Sequence, residues 1–107
     1  MDVVELFDFI RNLTGIDADG DALVNKALSL DDPFIVLSEL STESGKNDRK
    51  GFMQIFRGAF QGIRNPAAHS LNHDLTAEAA AQYLIFASLL AGRLDQAKIV
   101  KKVERAT

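Results

Sequence analysis

The sequence predicts an all-α protein in which four to five helices form a small bundle, a single domain over residues 1–107. Apolar residues recur every three or four positions in several segments, which is the period of an amphipathic helix. Aspartate and threonine, which commonly cap helices, stand just before these segments. The chain has 107 residues, 47% of them hydrophobic, which suits one domain with a small core.

The composition limits which partners, sites and cellular locations are expected for this protein. The formal net charge of −3 argues against binding of nucleic acid over the whole surface, although it leaves room for a local basic groove. The absence of cysteine excludes disulfides, a thiol nucleophile and a zinc–thiolate site, and it fits the reducing cytoplasm, which is the predicted location. No signal peptide is expected, because the start is acidic and lacks a basic segment. No membrane-spanning segment is expected either, because the most apolar run, residues 83–91, is too short to cross a bilayer.

Two amphipathic helices are predicted first. The first covers residues 2–13, ends at Gly15 and carries its apolar side chains at helical spacing: Val3, Leu6, Phe7, Ile10 and Leu13. The second is capped by Asp19 or Asp21 and carries Leu23, Val24, Ala27 and Leu28. Asp17, Asp19 and Asp21 alternate in a way that resembles a calcium-binding loop. Calcium binding is nevertheless not predicted, because the glycine is at the wrong spacing and Leu28 stands where such a loop needs glutamate.

The next segment is ambiguous between helix and strand. The Asp-Pro pair at residues 32–33 is a helix-start signal, so the four apolar residues that follow predict a short helix through Leu40 rather than a strand. Residues 41–47 are polar around a central glycine and predict a loop, after which Asp48 caps the central helix.

The central helix, predicted within residues 51–70, has three faces. Its core face carries Phe52, Ile55, Phe56, Ala59, Phe60 and Ile63. Basic residues recur every seven positions on the opposite face: Lys50, Arg57 and Arg64. Glycines form a line along one flank: Gly51, Gly58 and Gly62. Because an interior glycine costs about 1 kcal/mol relative to alanine, this line predicts the close approach of another helix, from the same chain or a partner; the alternative is that the helix tolerates them.

The last helix is predicted to begin at the cap Thr76 and to run to about Val103. Its middle, residues 83–91, is apolar nearly all round, which predicts burial either at the centre of the bundle or between subunits. Four cations crowd the end of the helix: Lys98, Lys101, Lys102 and Arg105. They either complement the helix dipole on a solvated face or contribute to a basic groove.

Arg64, Asn65 and His69 form the cluster most suggestive of chemistry. A histidine titrates near neutral pH and can act as general acid or base on a 2′-hydroxyl of RNA. A guanidinium can stabilise the charge that develops on phosphate oxygens without a metal, and an asparagine can orient either group. By spacing alone, a structural histidine and an arginine at a helix end explain the same residues.

Two other interpretations of this region are weaker. His69 and His73 at i and i+4, with Asp74, could hold a metal, but no further ligand is obvious. Ser70 as a nucleophile is disfavoured because adjacent residues on a helix do not face each other. We therefore predict no metal and no cofactor.

The string GFMQIFRGAFQGIRNPAAH at residues 51–69 resembles the hallmark of the Ymh family of prokaryotic and phage proteins. Further similar segments extend the resemblance from about residue 16 to residue 97: residues 19–27, 80–84, 87–90 and 93–97. That family in turn resembles the HEPN superfamily, whose members are all-α bundles, usually dimeric, and in many cases metal-independent endoribonucleases.

The resemblance implies roles for the cluster: Arg64 stabilises the phosphate, Asn65 has a positioning role, and His69 transfers protons. It also implies a homodimer, because two copies of the motif meet across the interface in that superfamily. The expected RNA-binding residues beside them are Lys50, Arg57, Lys98, Lys101 and Lys102. Some relatives carry a regulatory tyrosine two residues after the histidine, and Leu71 stands there in this chain, so that regulation is not implied.

The expected function is a metal-independent endoribonuclease in a phage-defence or toxin–antitoxin setting, with a possible antitoxin protein as partner. Cleavage would leave a 2′,3′-cyclic phosphate and a 5′-hydroxyl. The alternative is a non-catalytic dimerisation or interaction module of the same fold. The nuclease requires the cluster to converge at an open basic cleft, whereas a scaffold would bury His69 or pair Arg64 with a carboxylate.

Overall fold

The computed structural model describes residues 1–39, 41–64 and 76–103 of the chain. Within these ranges there are four helices and one two-stranded antiparallel sheet, so the predicted small helical bundle is confirmed. The helices are α1 (Val3–Thr14), α2 (Gly20–Ala27), α3 (Glu43–Ala59, continued by a π-helical turn at Phe60–Arg64) and α4 (Ala77–Asp95). The strands are β1 (Ile35–Val36) and β2 (Lys98–Ile99).

The first two helices begin and end where local signals place them. A carboxylate oxygen of Asp2 accepts a hydrogen bond from the Glu5 amide of α1 at 2.8 Å. Gly15 ends α1 in the left-handed conformation, with φ of 72°, and its amide donates to the Arg11 carbonyl. Asp19, rather than Asp21, caps α2. Both predicted helices are therefore confirmed.

The prediction of a helix from residue 33 to Leu40 is wrong for residues 33–39, the part of this segment that the structure describes. Residues 35 and 36 form β1, which pairs antiparallel with β2 so that Ile35 lies opposite Ile99 and Val36 opposite Lys98. A run of four apolar residues has no helical or strand period of its own. A partner more than 60 residues away in sequence therefore decides its conformation.

The predicted loop at residues 41–47 is also wrong, because α3 already begins at Glu43. Thr42 is its N-cap, and the Thr42 hydroxyl accepts a hydrogen bond from the Gly45 amide at 3.0 Å. Asp48, the predicted cap, lies inside the helix. The first turns of α3 are mostly exposed, so they carry no apolar period that would reveal a helix in the sequence.

The core face of α3 differs from the predicted stripe. Phe56 and Ala59 are buried and Phe52 is partly buried, as expected, but Ile55 is 40% exposed. Arg49 takes a core position that the sequence pattern did not assign, with only 1% of its surface exposed.

The predicted start of α4 is confirmed and its predicted end is wrong. The Thr76 hydroxyl accepts from the Ala79 amide at 3.0 Å, and the helix ends at Asp95 instead of near Val103. Beyond it, the Val100 amide donates to the Phe34 carbonyl at 2.8 Å and the Val103 amide to the Thr14 carbonyl at 2.7 Å. These bonds hold the chain in an extended course along β1 and the end of α1, which a continued helix could not do.

The core lies where α1 meets α2 and α4, and α2 in turn packs on α3. Its largest apolar members come from every part of the described chain: Leu6, Phe7, Ile10, Leu23, Leu28, Ile35, Phe56, Leu90 and Leu94. None of the helices in the described ranges is both long enough and apolar enough to cross a membrane.

Candidate functional site

The predicted cluster begins at a break in helical geometry. At Phe60 the α-helix of α3 gives way to a π-helical turn that ends at Arg64. The Phe60 amide is shared between the carbonyls of Phe56 and Arg57. Turns of this kind are rare and occur frequently at functional sites. Asn65 and His69 lie outside the described residues, so the convergence of the three groups stays a prediction.

The other residues weighed for chemistry in this region also lie outside the described part of the chain: Ser70, Leu71, His73 and Asp74. In the described ranges, no three aspartate, glutamate, histidine or cysteine side chains come together as metal ligands.

The π-helical turn is held by α1 and α2. The Phe60 ring meets the Phe7 ring edge to face, with centroids 5.4 Å apart and an angle of 64° between the planes. The Gln61 amide nitrogen donates to a carboxylate oxygen of Asp21 at 2.8 Å. The chain therefore enters the candidate site from a turn with contacts to two other helices.

The predicted RNA-binding residues of α3 have different surroundings. Lys50 is exposed near the middle of the helix. Arg57 is partly buried, and its guanidinium donates to the Asn25 side-chain oxygen of α2 at 2.8 Å. Because this partner is a neutral amide, the hydrogen bond orients Arg57 without cancelling its charge.

The lysines after α4 form a second group, beside β1. Lys101 makes an ion pair of 2.6 Å with Asp32, and its ammonium group lies 4.6 Å from the centre of the Phe34 ring. Lys98 and Lys102 are exposed. The predicted location of this group at a helix end is wrong, since Lys98 belongs to β2. Arg105 lies outside the described residues.

A second polar cluster, which sequence analysis missed, joins α4 to α3. The Arg93 guanidinium donates to Asp48 at 2.7 Å and lies 4.7 Å from the centre of the Phe52 ring. Ser38 also donates to Asp48. With these partners Asp48 serves to hold elements together, and nothing in the local sequence distinguishes that role from the cap predicted for it.

Two further arginines have partners within the fold, Arg49 in the core and Arg11 at a partly exposed position. The Arg49 guanidinium donates to the Ser29 carbonyl at 2.8 Å, and burial lowers the pKa of Arg49. Burial acts to lower the pKa of Arg11 too, but hydrogen bonds to Asp8 and Asp19 outweigh it and raise that pKa. Both side chains stabilise structure and stay charged at neutral pH.

The apolar middle of α4 is only half covered. Ala87, Leu90 and Leu94 are buried, whereas Ile85 is 69% exposed and Leu89 is 61% exposed. The expectation of central burial is therefore wrong for this outer face. Between Glu78 and Arg93 the helix has no charged residue, so the exposed surface is unusually apolar for a surface helix.

The glycine flank of α3 has no close neighbour among the described residues. A Cβ atom built on Gly51, Gly58 or Gly62 would meet nothing within 4 Å. Within the described part of the chain, the predicted approach of another helix is therefore absent at these three glycines.

Comparison with known proteins assigns the family. The family model described as "Protein of unknown function (Hypoth_ymh)" matches residues 3–94. No curated protein and no solved structure matches the chain. The family match covers most of the chain, including α1 to α3 and nearly all of α4. The chain therefore belongs to the Ymh family.

Proposed function

We propose that this protein is a metal-independent endoribonuclease of the HEPN type, acting in a phage-defence or toxin–antitoxin setting in the cytoplasm. One observation carries the proposal: Arg64 and Asn65 are followed by His69 at the HEPN-like spacing, and the chain reaches them through a π-helical turn. The small helical bundle is compatible with this assignment.

The residues of the cluster supply the parts that the reaction needs. In one step a histidine takes the proton of a 2′-hydroxyl, the 2′-oxygen attacks the adjacent phosphorus, and the 5′-oxygen leaves with a proton. The products are a 2′,3′-cyclic phosphate and a 5′-hydroxyl. Arg64 would stabilise the negative charge on the phosphate oxygens, and Asn65 would orient the phosphate or His69.

A homodimer would supply two copies of the cluster, so that one His69 acts as base and the other as acid. The exposed outer face of α4, formed by Ile85, Leu89 and the neighbouring Ser88 and Gly92, is the proposed contact. Burial of a large aliphatic side chain contributes about 1.5–3 kcal/mol, and the small residues beside them allow close approach of a second helix. This contact uses the surface that the described chain leaves uncovered.

RNA would be bound by the cations on the route to the site. Lys50 and Arg57 precede Arg64 on α3, and Asn25 already orients Arg57. Lys98, Lys101 and Lys102 would contribute a second group of phosphate contacts, although Lys101 must give up Asp32 to do so. Because such contacts release counterions, affinity for RNA should fall steeply with salt.

A specific observation favours a second candidate, the non-catalytic dimerisation or interaction module. The apolar face of α4 is the largest departure from an ordinary surface helix, and it needs no chemistry to be useful. Arg57 and Lys101 also have partners inside the chain. In this alternative the same face binds a second copy or a protein partner such as an antitoxin.

Cleavage of RNA in EDTA by the purified protein distinguishes the two functions. We expect wild type to cleave, His69→Ala and Arg64→Ala to lose activity, and His73→Ala, the matched control at the other histidine, to keep it. Analysis of the ends should find cyclic phosphates. Folded wild type that cleaves none of several RNAs would reject the nuclease, and cleavage that EDTA abolishes would reject its metal-free mechanism.

A further inference from the structure

Phe60, the first residue of the π-helical turn, packs closely against Gly20, the first residue of α2. The Phe60 ring lies so close to Gly20 that a Cβ atom there would be 2.6 Å from the ring atom Cε1. Gly20 also has a φ of 58°, a left-handed conformation that glycine adopts without strain. Any larger residue at position 20 would therefore displace the ring.

The neighbouring residues of the two elements are also joined. Asp21 accepts a hydrogen bond from the Gln61 side chain at 2.8 Å, and the second Asp21 oxygen is buried. Phe7 of α1 packs against the Phe60 ring. Two consecutive residues of the π-helical turn thus have partners outside α3, which limits its rotation about the helix axis.

We infer that Gly20 and Asp21 are positioning residues, which set the rotation of the π-helical turn and so the direction of the backbone at Arg64. One extra residue in a helical turn rotates everything after it by about 100°, since an α-helix has 3.6 residues per turn. If the turn relaxed to α geometry, the backbone at Arg64 would therefore lie at a different angle about the helix axis. The consequence for catalysis rests on the proposed ribonuclease activity, whereas the structural link does not.

Two variants test the link through activity. Gly20→Ala displaces the Phe60 ring, and Gln61→Met removes the hydrogen bond to Asp21 while keeping the length of an exposed side chain. We expect kcat to fall about 10-fold or more in each, with KM within about 2-fold, because small misplacements of a catalytic group cost rate rather than ground-state binding. Unchanged kcat in both variants would overturn the inference.

Gly15→Ala is the matched control. Gly15 also has a positive φ, of 72°, and a Cβ atom there would collide with the Val103 carbonyl, so this variant carries comparable backbone strain. It lies at the end of α1, and the three atoms nearest to a Cβ atom built there all belong to Val103. We expect it to lower stability and leave kcat unchanged; a loss of kcat equal to that of Gly20→Ala would show that general destabilisation explains the effect.

Backbone amide NMR separates the two proposals. We expect Gly20→Ala and Gln61→Met to shift the amide signals of Ile63 and Arg64 and to speed their hydrogen exchange, and Gly15→Ala to leave them in place. These shifts, in a wild type that cleaves no RNA, would reject the ribonuclease and support the structural link. Unshifted signals would overturn the link whether or not the wild type is active.

Discussion

At the scale of single residues, the most unusual feature is the buried guanidinium of Arg49. Its side chain is 1% exposed, yet its described hydrogen bond goes to a neutral carbonyl, that of Ser29. Burial of a charge is costly unless hydrogen bonds compensate for it. Arg49 therefore acts mainly as a long side chain that ties α3 to the end of α2.

Replacement of Arg49 should separate the contribution of its packing to stability from the contribution of its charge. We expect Arg49→Ala to lower the free energy of unfolding by about 2 kcal/mol or more, because it removes a charged hydrogen bond and leaves a cavity. Arg49→Met fills most of the space without a buried charge and should cost clearly less. Urea denaturation measures both; an alanine variant as stable as wild type would contradict the buried position of the side chain.

At the scale of elements, helix ends decide how α3 relates to its neighbours. Thr42 starts α3 nearly three turns before Phe52, its first strongly apolar residue, and Asp48 in this early part of the helix pairs with Arg93 of α4. The ion pair is only partly exposed and Phe52 packs beside it, so it links α3 and α4 more firmly than a surface pair would.

Loss of the Thr42 cap should shorten α3 at its start. We expect Thr42→Ala to lower the free energy of unfolding by about 1 kcal/mol and to speed hydrogen exchange of the Gly45 amide, which then loses its acceptor. Ser41→Ala, at the preceding exposed hydroxyl, should have little effect. Equal effects of the two variants would place the start of α3 elsewhere.

The sheet should depend on a backbone bond rather than on side chains. The Val100 amide donates to the Phe34 carbonyl, whereas the Val100 side chain is largely exposed. We expect Val100→Pro, which removes the donor, to cost about 1 kcal/mol or more of unfolding free energy, and Val100→Thr, which keeps both the donor and the shape, to cost under about 0.5 kcal/mol. A threonine variant as unstable as the proline variant would contradict this account.

At the scale of the whole molecule, the face of α4 that the described residues leave uncovered is the surface at which we expect association. A small domain rarely leaves several large aliphatic side chains exposed on one helix without a partner. The open surface at Gly92 lies on the same helix, one turn beyond Leu89. We therefore expect a second copy to bind at the exposed face of α4 and not at the basic residues.

Charges on this face should prevent dimerisation. We expect Ile85→Glu and Leu89→Glu to raise the dimer dissociation constant at least about 100-fold, because each buries a charge in place of an aliphatic contact. Gln54→Glu, which adds the same charge to an exposed position of α3, should leave it unchanged. Sedimentation equilibrium measures all three; a monomeric wild type would reject the homodimer.

Some parts of the candidate site could be predicted from the sequence and others could not. The helix that leads into Arg64 was evident from the spacing of Phe56, Ala59 and Phe60, because a core stripe is a local pattern. The π-helical turn was not, since Phe60 at its start packs against Gly20 and Phe7, which lie far away in sequence. The arrangement of Arg64 with Asn65 and His69 stays a prediction.

The sequence by itself determined the helical class, the cap Thr76, the cap of α2 to within Asp19 or Asp21, and the termination of α1 at Gly15, because each depends on residues within one or two helical turns. Only the tertiary structure decided that residues 35–36 form a strand and that α4 ends at Asp95. Both outcomes follow from pairing between segments far apart in the chain. Every residue except proline carries the same backbone donor and acceptor, so no local pattern could identify which ones would pair.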